Sequence, residues 1–233
     1  MLSVPLKDGK VVNISVRTSA RARHLRLVSN IRGVEAVVPH DCDPDRLIKF
    51  VQSKSDWLAR TTQHYEQIRE RTGHEDGTLY YLGGKYRYHL VKDRRPSAVV
   101  SDVLKIVTFH VTDMRSYKQE IQRWYRERTA AVIAARLPEL AAKMSLQYNR
   151  VSIKQQRSRW GSCSRKKNLN FNLLLSAAPA EVIDYVIVHE LAHIAELNHS
   201  RRFWDIVASA DPDYEKHKRW LDDHSPVIGV EGL

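Results

Sequence analysis

Apolar and polar residues alternate along the first part of the chain, which is the pattern of half-buried β-strands. Three segments show this alternation before the first helical pattern begins. They are 12–16, 25–27 and 34–38, and the last is followed by Pro39, a residue that is disfavoured inside a sheet. The pattern therefore predicts a β-rich start to the chain.

The spacing of apolar residues changes after Pro44 from a repeat of two to the repeat of a helix. Asp43 stands where an N-cap residue is expected, because its carboxylate can accept hydrogen bonds from the first free backbone N–H groups. Gly73 and the polar residues after it are typical of a helix end. We expect one helix from Pro44 to about Arg71.

A hairpin and a further strand are predicted next. Gly83-Gly84 lies between two strand-like segments, 79–82 and 86–91, and reads as a two-residue turn. Residues 103–111 form another strand candidate. From about Ser116 the composition favours helices, so we place the end of an N-terminal β-rich, basic unit at 115 and assign 116–233 to a second unit.

The second unit begins with one or two helices over 117–144, with an interruption expected near Pro138. A strand begins at Val151, a turn covers 161–168, and a second alternating strand covers 169–175. Pro179 then opens a long helix. The whole pattern predicts an α+β fold in which strands and helices are unevenly distributed along the chain.

Composition places the chain among ordinary globular proteins. It has 233 residues, of which 42% are hydrophobic and 28% are charged. No apolar run approaches the roughly 20 residues that cross a bilayer, and the N-terminus lacks the apolar region of a signal peptide. Two cysteines, Cys42 and Cys163, do not suggest a disulfide framework. We expect a soluble, cytoplasmic protein that does not bind membranes.

The net charge of +11 leans toward the N-terminal half. Residues 1–115 hold 20 basic and 13 acidic side chains, and 116–233 hold 18 and 14. The first unit therefore carries +7 and includes Arg21, Arg23 and Arg26. This excess fits an anionic partner such as nucleic acid. It fits equally a solvated basic face, because no base-reading motif accompanies it.

The motif that carries chemistry is His189-Glu190-x-x-His193. Residues four apart on a helix are separated by about 40° around the axis and about 6 Å along it, so both imidazoles can bind one metal ion. Glu190 would lie beside a water on that ion and act as general base. The preceding apolar run, 182–188, predicts that this helix is buried. Such a helix carries polar residues only at a cost, which favours a zinc site over a structural role.

A catalytic zinc site needs a third protein ligand. His199 is the best candidate if the helix ends near Leu197 and Asn198 adopts a left-handed conformation that reverses the chain. Ser200 could then N-cap a helix over 201–210. An acid on a later helix, Asp213 or Glu215, is the competing choice. Cys163 is a weaker one.

The stretch 155–207 resembles the YgjP-like family of predicted metal-dependent hydrolases. That family is similar to the SprT-like and Wss-type zinc peptidases and to the minimal gluzincin-type core, so the resemblance implies a zincin-like second unit. It places the metal ligands on His189, His193 and His199 and the catalytic glutamate on Glu190. Other segments also look like family positions: Arg21-Ala22-Arg23, Tyr81-Leu82-Gly83, Trp124-Tyr125 and 212–221.

Substrate contacts are expected in the segment before Cys163. If the strand within 151–160 is the sheet edge nearest the metal, an extended peptide could pair with it, as the resemblance implies. Arg157 and Arg159 could contact substrate carbonyls or phosphates, while Trp160 fits packing better. The candidates for stabilising the oxyanion are Tyr185, Arg159, His217 and His224.

Three functions remain open. The first is a zinc metallopeptidase that acts on peptides or unfolded proteins. The second is a metal-dependent nucleotide pyrophosphohydrolase, for which the basic residues Arg157, Arg159, Arg165, Lys166 and Lys167 would suit a phosphate substrate. Three imidazoles favour zinc over magnesium, which supports the peptidase. The third, a zinc-stabilised binding protein without activity, would leave Glu190 without a role.

Overall fold

The structure is a computed structural model, and it describes residues 2–5, 9–31, 33–73, 75, 77–156 and 158–228. Contacts divide the chain into two compact units, Met1–Asp76 and Gly77–Leu233. This division falls earlier than the predicted boundary at 115, because the strands that follow Gly77 pack within the second unit. Helices and mixed sheets together confirm the α+β class. None of the described helices is both long and apolar enough to span a bilayer.

The described residues of the first unit form one sheet of four strands and two helices. In the sheet, the strand order is β1-β2-β4-β3, with β2 and β4 parallel and the other pairs antiparallel. The strands are β1 (Leu2–Pro5), β2 (Val11–Thr18), β3 (Arg26–Asn30) and β4 (Gly33–Val38). The helices are α1 (Pro44–Gln52) and α2 (Ser55–Thr72). Ile14, Val51 and Leu58 are fully buried in its core.

The helix predicted over 44–71 is two helices. Asp43 caps α1 as expected, accepting a hydrogen bond from the Asp45 backbone N–H at 3.0 Å. The chain leaves the first helix at Ser53, whose hydroxyl donates to the Phe50 carbonyl at 2.6 Å. The helical ladder ends at Lys54, whose φ of −107° and ψ of 15° are not helical and whose N–H bonds the Val51 carbonyl three residues back at 3.0 Å.

The second unit begins with a four-stranded sheet of order β5-β6-β8-β7. Its strands are β5 (Thr78–Tyr81), β6 (Gly84–Lys92), β7 (Ser97–Ser101) and β8 (Ile106–Val111). The hairpin turn is Leu82-Gly83 rather than Gly83-Gly84, since Tyr81 pairs with Gly84. Both turn residues have positive φ, as a tight hairpin of this kind requires.

Helix α3 (Tyr117–Lys143) is continuous, and Pro138 does not interrupt it. Leu137 and Leu140 beside that proline are both buried, so packing maintains the helix there. The same helix packs against the four-stranded sheet, where the Tyr125 hydroxyl donates to the Tyr80 carbonyl. Tertiary contacts therefore override the local preference of proline for a helix end.

A second sheet of three strands lies beneath the predicted site. Its order is β10-β11-β9, with β9 (Val151–Lys154) parallel and β10 (Gly161–Cys163) antiparallel to β11 (Leu169–Asn172). The predicted turn at 161–168 therefore begins with a short strand. The predicted strand to 175 ends at Asn172, and a single 3-10 turn, Leu175–Ala177, follows.

Within the described part of the second unit, the remaining helices are α4 (Ala180–Ala195), α5 (Arg201–Ala210) and α6 (Tyr214–Ile228). Most of α4 is buried, including Ile187 and Leu191, which have no exposed surface. The start of α4 is linked to the β5–β6 hairpin, because Leu82 and Gly83 donate backbone hydrogen bonds to the Ser176 and Ala177 carbonyls at 2.8 and 3.0 Å. The hairpin therefore fixes the start of α4, and burial fixes its middle.

Candidate metal centre

Helix α4 carries His189, Glu190 and His193 on its last two turns. The helix begins after Pro179 and buries apolar residues around most of its circumference, as the sequence predicted. Glu190 is only 4% exposed, whereas the two histidines are half-buried. The helix therefore presents two imidazoles toward one opening and holds a carboxylate between them and the core.

The chain reverses after α4 and brings His199 back to this opening. The helix ends at Ala195, two residues before the predicted end, and Asn198 does not adopt the predicted left-handed conformation. Its side chain instead accepts a hydrogen bond from the Ser200 N–H at 2.9 Å. Ser200 in turn caps α5, as predicted, by accepting from the Phe203 N–H.

The three imidazoles converge. One nitrogen from each of His189, His193 and His199 lies within 4.8 Å of the others. The Nε2 atoms of His189 and His199 are 3.2 Å apart. In the described part of the chain, no other group of histidine, cysteine or acidic side chains is close enough to hold a metal ion, so Asp213 and Glu215 do not take part.

The protonation states of His189 and His193 suit a metal ion. Burial, with the nearby His193 and His199, lowers the pKa of His189 to about 3, and burial also lowers the pKa of His193. His193 Nδ1 lies 3.1 Å from the Glu196 carbonyl and must donate to it, which leaves Nε2 with a free lone pair. Neutral imidazoles with free lone pairs are the form that binds metals.

Around the imidazoles is a shell of aromatic rings that we did not predict from the sequence. Phe203 is fully buried, and its ring centroid lies 4.5 Å from that of His193 and 4.8 Å from that of His199. Trp204 lies 5.8 Å from His199. The rings restrict the imidazoles to their present orientations. The spacing of apolar residues along α5 indicates a buried helix face. Spacing alone does not show which histidines the residues of that face contact.

Glu190 is a buried carboxyl with an unsatisfied oxygen. Its Oε2 atom has no hydrogen-bond partner among the described residues. Burial raises the pKa of Glu190 to about 8, while the charge of Arg159 acts in the opposite direction. A buried group that remains unpaired and titrates near neutrality is suited to proton transfer.

Strand β10 lies against this carboxyl. A Cβ atom at Gly161 would be 2.4 Å from Glu190 Oε1, so only glycine allows the strand to approach this closely. The edge strand beside the site is therefore β10, not the strand within 151–160 as we expected. Gly161 faces Phe171 in a pair without mutual hydrogen bonds, because the Asn172 N–H donates to the Trp160 carbonyl. The polar backbone groups of Gly161 consequently point to the free edge.

A pocket of about 410 Å³ opens beside His189 and Glu190. Arg159 and Tyr185, which we expected to contact the substrate or the oxyanion, line it together with Trp160, for which packing was the favoured role. Trp160 is anchored by a hydrogen bond from its indole N–H to the Ser225 hydroxyl at 2.9 Å, so it packs and lines the pocket at once. Burial raises the pKa of Tyr185, whose hydroxyl therefore stays a donor. Arg157 lies outside the described residues.

The two other oxyanion candidates do not line this pocket. His217 is buried and bonded to Asp211 at 2.8 Å. His224 bonds the Trp220 carbonyl at 3.0 Å and stacks on that indole ring. Both histidines thus have structural partners within α6 or at its start. Tyr185 and Arg159 are the candidates that face the pocket.

Comparison with known proteins gives one family match. A family model described as "YgjP-like, metallopeptidase domain" matches residues 23–224. Among curated proteins, none matches the chain significantly. Solved structures similar to 39% of the chain include two metallopeptidase zymogens. Abylysin of Pyrococcus abyssi is 21% identical, with 92% of that chain covered and a TM-score of 0.36. Jannalysin of Methanocaldococcus jannaschii is 22% identical, with 95% of that chain covered and a TM-score of 0.33.

Proposed function

We propose that this chain, which belongs to the YgjP-like metallopeptidase domain family, is a zinc peptidase with Glu190 as its general base. One observation carries the proposal. Three convergent imidazoles and a buried, unpaired carboxyl meet beside a pocket of about 410 Å³. Each component alone is common in proteins, but together they provide a metal site, a proton acceptor and room for a substrate.

His189, His193 and His199 would hold the ion through one nitrogen each. Three neutral nitrogen donors suit zinc better than magnesium or calcium, which prefer oxygen ligands. Three protein ligands would leave one coordination position of the zinc ion open for water or substrate. Bound zinc polarises a carbonyl and lowers the pKa of water toward ~7.

Glu190 would move the proton. Its Oε2 atom has no partner among the described residues and can accept a proton from the attacking water, then return it to the leaving amine. The raised pKa of about 8 suits this exchange, since the carboxyl must take up and release a proton near neutral pH. A bound cation would favour the carboxylate form, which is the form a general base requires.

An extended peptide would pair with β10. The free edge offers the N–H and C=O groups of Gly161, and those of Cys163 have the same orientation two residues further on. Backbone pairing recognises any extended chain, so the preferred substrate is an unfolded segment. Arg159 and Tyr185 line the pocket at this position and provide donors for substrate carbonyls.

The test compares wild type with Glu190→Gln. Both are loaded with zinc and assayed in parallel on an unfolded protein and on nucleoside triphosphates. Glu190→Gln is expected to bind one zinc and to lose at least 100-fold in peptide cleavage, because general-base catalysis contributes roughly 10²–10⁴-fold. Full activity of this variant would remove Glu190 from the mechanism. If the protein hydrolysed the triphosphates but not the unfolded protein, the proposed function would change from peptidase to nucleotide pyrophosphohydrolase.

A further inference from the structure

Between β9 and β10 lies the segment 155–160, whose described residues, 155, 156 and 158–160, form no helix or strand. This segment ends at Gly161, which touches Glu190, and it carries Arg159 and Trp160 into the wall of the pocket. Loops usually hold functional groups less accurately than helices or strands. The contacts that fix this segment therefore matter for the site.

Asn172 is the residue that fixes it from below. Its side chain is buried, with 6% of the residue exposed. The Nδ2 group donates two hydrogen bonds, to the Gln156 carbonyl at 2.8 Å and to the Arg159 carbonyl at 3.0 Å. Its Oδ1 atom accepts from the Leu174 N–H at 3.2 Å. The backbone N–H of Asn172 donates to the Trp160 carbonyl at 2.8 Å.

We infer that Asn172 is a positioning residue of the active site, whose amide holds the segment 155–160 so that Trp160 and Gly161 close the pocket beside Glu190. The inference rests on the proposed peptidase function. It assigns Asn172 no contact with the reacting atoms. Asn172 itself also lines the pocket, and its proposed effect passes through the segment, which forms the pocket wall at Trp160 and leads to Gly161 against the carboxyl.

The chemistry explains why an asparagine is required. An amide is the small side chain that donates two N–H bonds and accepts one bond at the same time. Aspartate has nearly the same shape but cannot donate when ionised, and its charge would face the carbonyls of Gln156 and Arg159. Asn172→Asp therefore removes the two bonds to the segment with little change of volume.

Thr129 supplies a matched control. Its buried hydroxyl donates to the carbonyl of Leu173, the residue that follows Asn172, at 2.7 Å. The same hydroxyl accepts from the Ser176 N–H at 3.0 Å. It does not line the pocket. Thr129→Val thus removes a buried donor and acceptor from the same region while leaving the segment 155–160 bonded.

The experiment uses the full zinc-loaded chain and measures metal content, backbone hydrogen exchange and kinetics. Asn172→Asp is expected to keep one zinc and to exchange at least tenfold faster over 155–163, with unchanged exchange over 180–195. We expect kcat/KM on an unfolded protein to fall by roughly 10–100-fold, the usual effect of removing a supporting contact, with a rise in KM and a fall in kcat. Thr129→Val should stay within about twofold of wild type in both constants and in exchange over 155–163.

Unchanged exchange over 155–163 in Asn172→Asp would overturn the inference, whatever the substrate proves to be. So would kinetic constants like those of Thr129→Val, because a role in stability alone predicts that result. Failure of the peptidase proposal would be seen elsewhere, as a wild type without peptide cleavage or as a fully active Glu190→Gln. The two failures are therefore distinguishable.

Discussion

At the scale of single residues, burial sets the charge of the candidate metal centre before any ion binds. It lowers the pKa of His189 to about 3 and raises that of Glu190 to about 8. Both groups are therefore neutral at pH 6 in the metal-free protein, and His189 need not lose a proton to bind an ion. Zinc affinity should consequently depend less on pH than that of exposed histidines.

The buried Glu190 should destabilise the metal-free protein at alkaline pH. Its pKa is raised from 4.5 to about 8, so its neutral form stabilises the fold below pH 4.5, and this contribution is lost as the pH rises to 8. Glu190→Gln cannot ionise. We expect the metal-free variant to melt roughly 5–10 °C above wild type at pH 8.5, a few kcal/mol, and within about 2 °C of it at pH 5.

The histidines do not affect this comparison, because both proteins contain them. Glu215→Gln, at an exposed position on α6, serves as the control and should show little difference at either pH. Equal melting of wild type and Glu190→Gln at both pH values, by calorimetry without metal, would show that the Glu190 carboxyl is not desolvated.

His199 should be as important for metal binding as the two helix histidines, although it is exposed. Two nitrogens bind zinc much more weakly than three. We predict that His199→Ala lowers zinc affinity by at least 100-fold in a competition titration with a chromogenic chelator. His24→Ala removes another exposed histidine, in the first unit, and should have no effect. An unchanged affinity in His199→Ala would return Asp213 and Glu215 to consideration.

The residues with a spacing signature could be predicted from the sequence. His189, Glu190 and His193 are fixed relative to one another by helix geometry, so their arrangement follows from the motif. Gly161 and Asn172 could not be predicted, because their roles depend on a β-strand reaching a helix and on a loop folding over a strand. Neither close approach is encoded by local spacing.

At the scale of secondary structure, the turn between α4 and α5 determines where His199 lies. Two side chains stabilise it: Asn198, which accepts from Ser200 N–H, and Ser200, which caps α5. Ser200→Ala should cost about 1 kcal/mol of helix stability. We expect the double variant Asn198→Ala, Ser200→Ala to bind zinc roughly tenfold more weakly, because a looser turn holds His199 less firmly.

Asp43→Ala provides the comparison for that double variant. It removes an N-cap of the same kind from α1 in the first unit. It should cost similar stability and leave the zinc titration unchanged. If the double variant bound zinc as tightly as wild type, the position of His199 would have to be maintained by Phe203 and Trp204 instead.

The elements themselves were predicted unevenly. Long periodic segments such as α3 and α4 were found, since their patterns extend over many residues. The short strand β10 was taken for a turn because three residues carry no periodicity. The break between α1 and α2 was missed because it falls at Ser53 and Lys54, where neither glycine nor proline marks a helix end.

At the scale of the whole molecule, the boundary between the two units, at Asp76 and Gly77, determines which truncated fragments should fold. The buried face of α3 includes Trp124, whose ring lies 5.6 Å from that of Phe109 on β8, and Tyr125, which bonds Tyr80. We predict that a fragment 77–233 binds one zinc, whereas 116–233 aggregates or melts far lower because this face is exposed. Zinc binding by a stable fragment 116–233 would support the boundary at 115.

We propose that an anionic partner binds the first unit through Arg21, Arg23 and Arg26. All three side chains are exposed, and none is ion-paired within the described residues. Binding of a labelled single-stranded oligonucleotide should weaken steeply between 50 and 200 mM salt. Reversing the three arginines to glutamate should weaken it at least tenfold without removing zinc.

The matched control reverses three other basic residues of the first unit to glutamate and so changes the net charge by the same amount. They are Arg46, Lys49 and Lys54, on and just after α1. If that variant lost binding to the same extent, net charge alone would explain the attraction. A flat response of the wild type to salt would be enough to abandon the partner.

Hairpin turns are usually the places where a chain accepts inserted peptides, epitopes or fluorescent reporters. The Leu82-Gly83 turn is an exception, because its two N–H groups are bonded to the residues just before α4 and a Cβ atom at Gly83 would lie 2.7 Å from Pro179. An insertion there would displace the start of the histidine-bearing helix. The connection between β7 and β8 is the better attachment point, since Val103 and Leu104 are 94% and 69% exposed. A reporter placed in that connection should leave zinc binding intact.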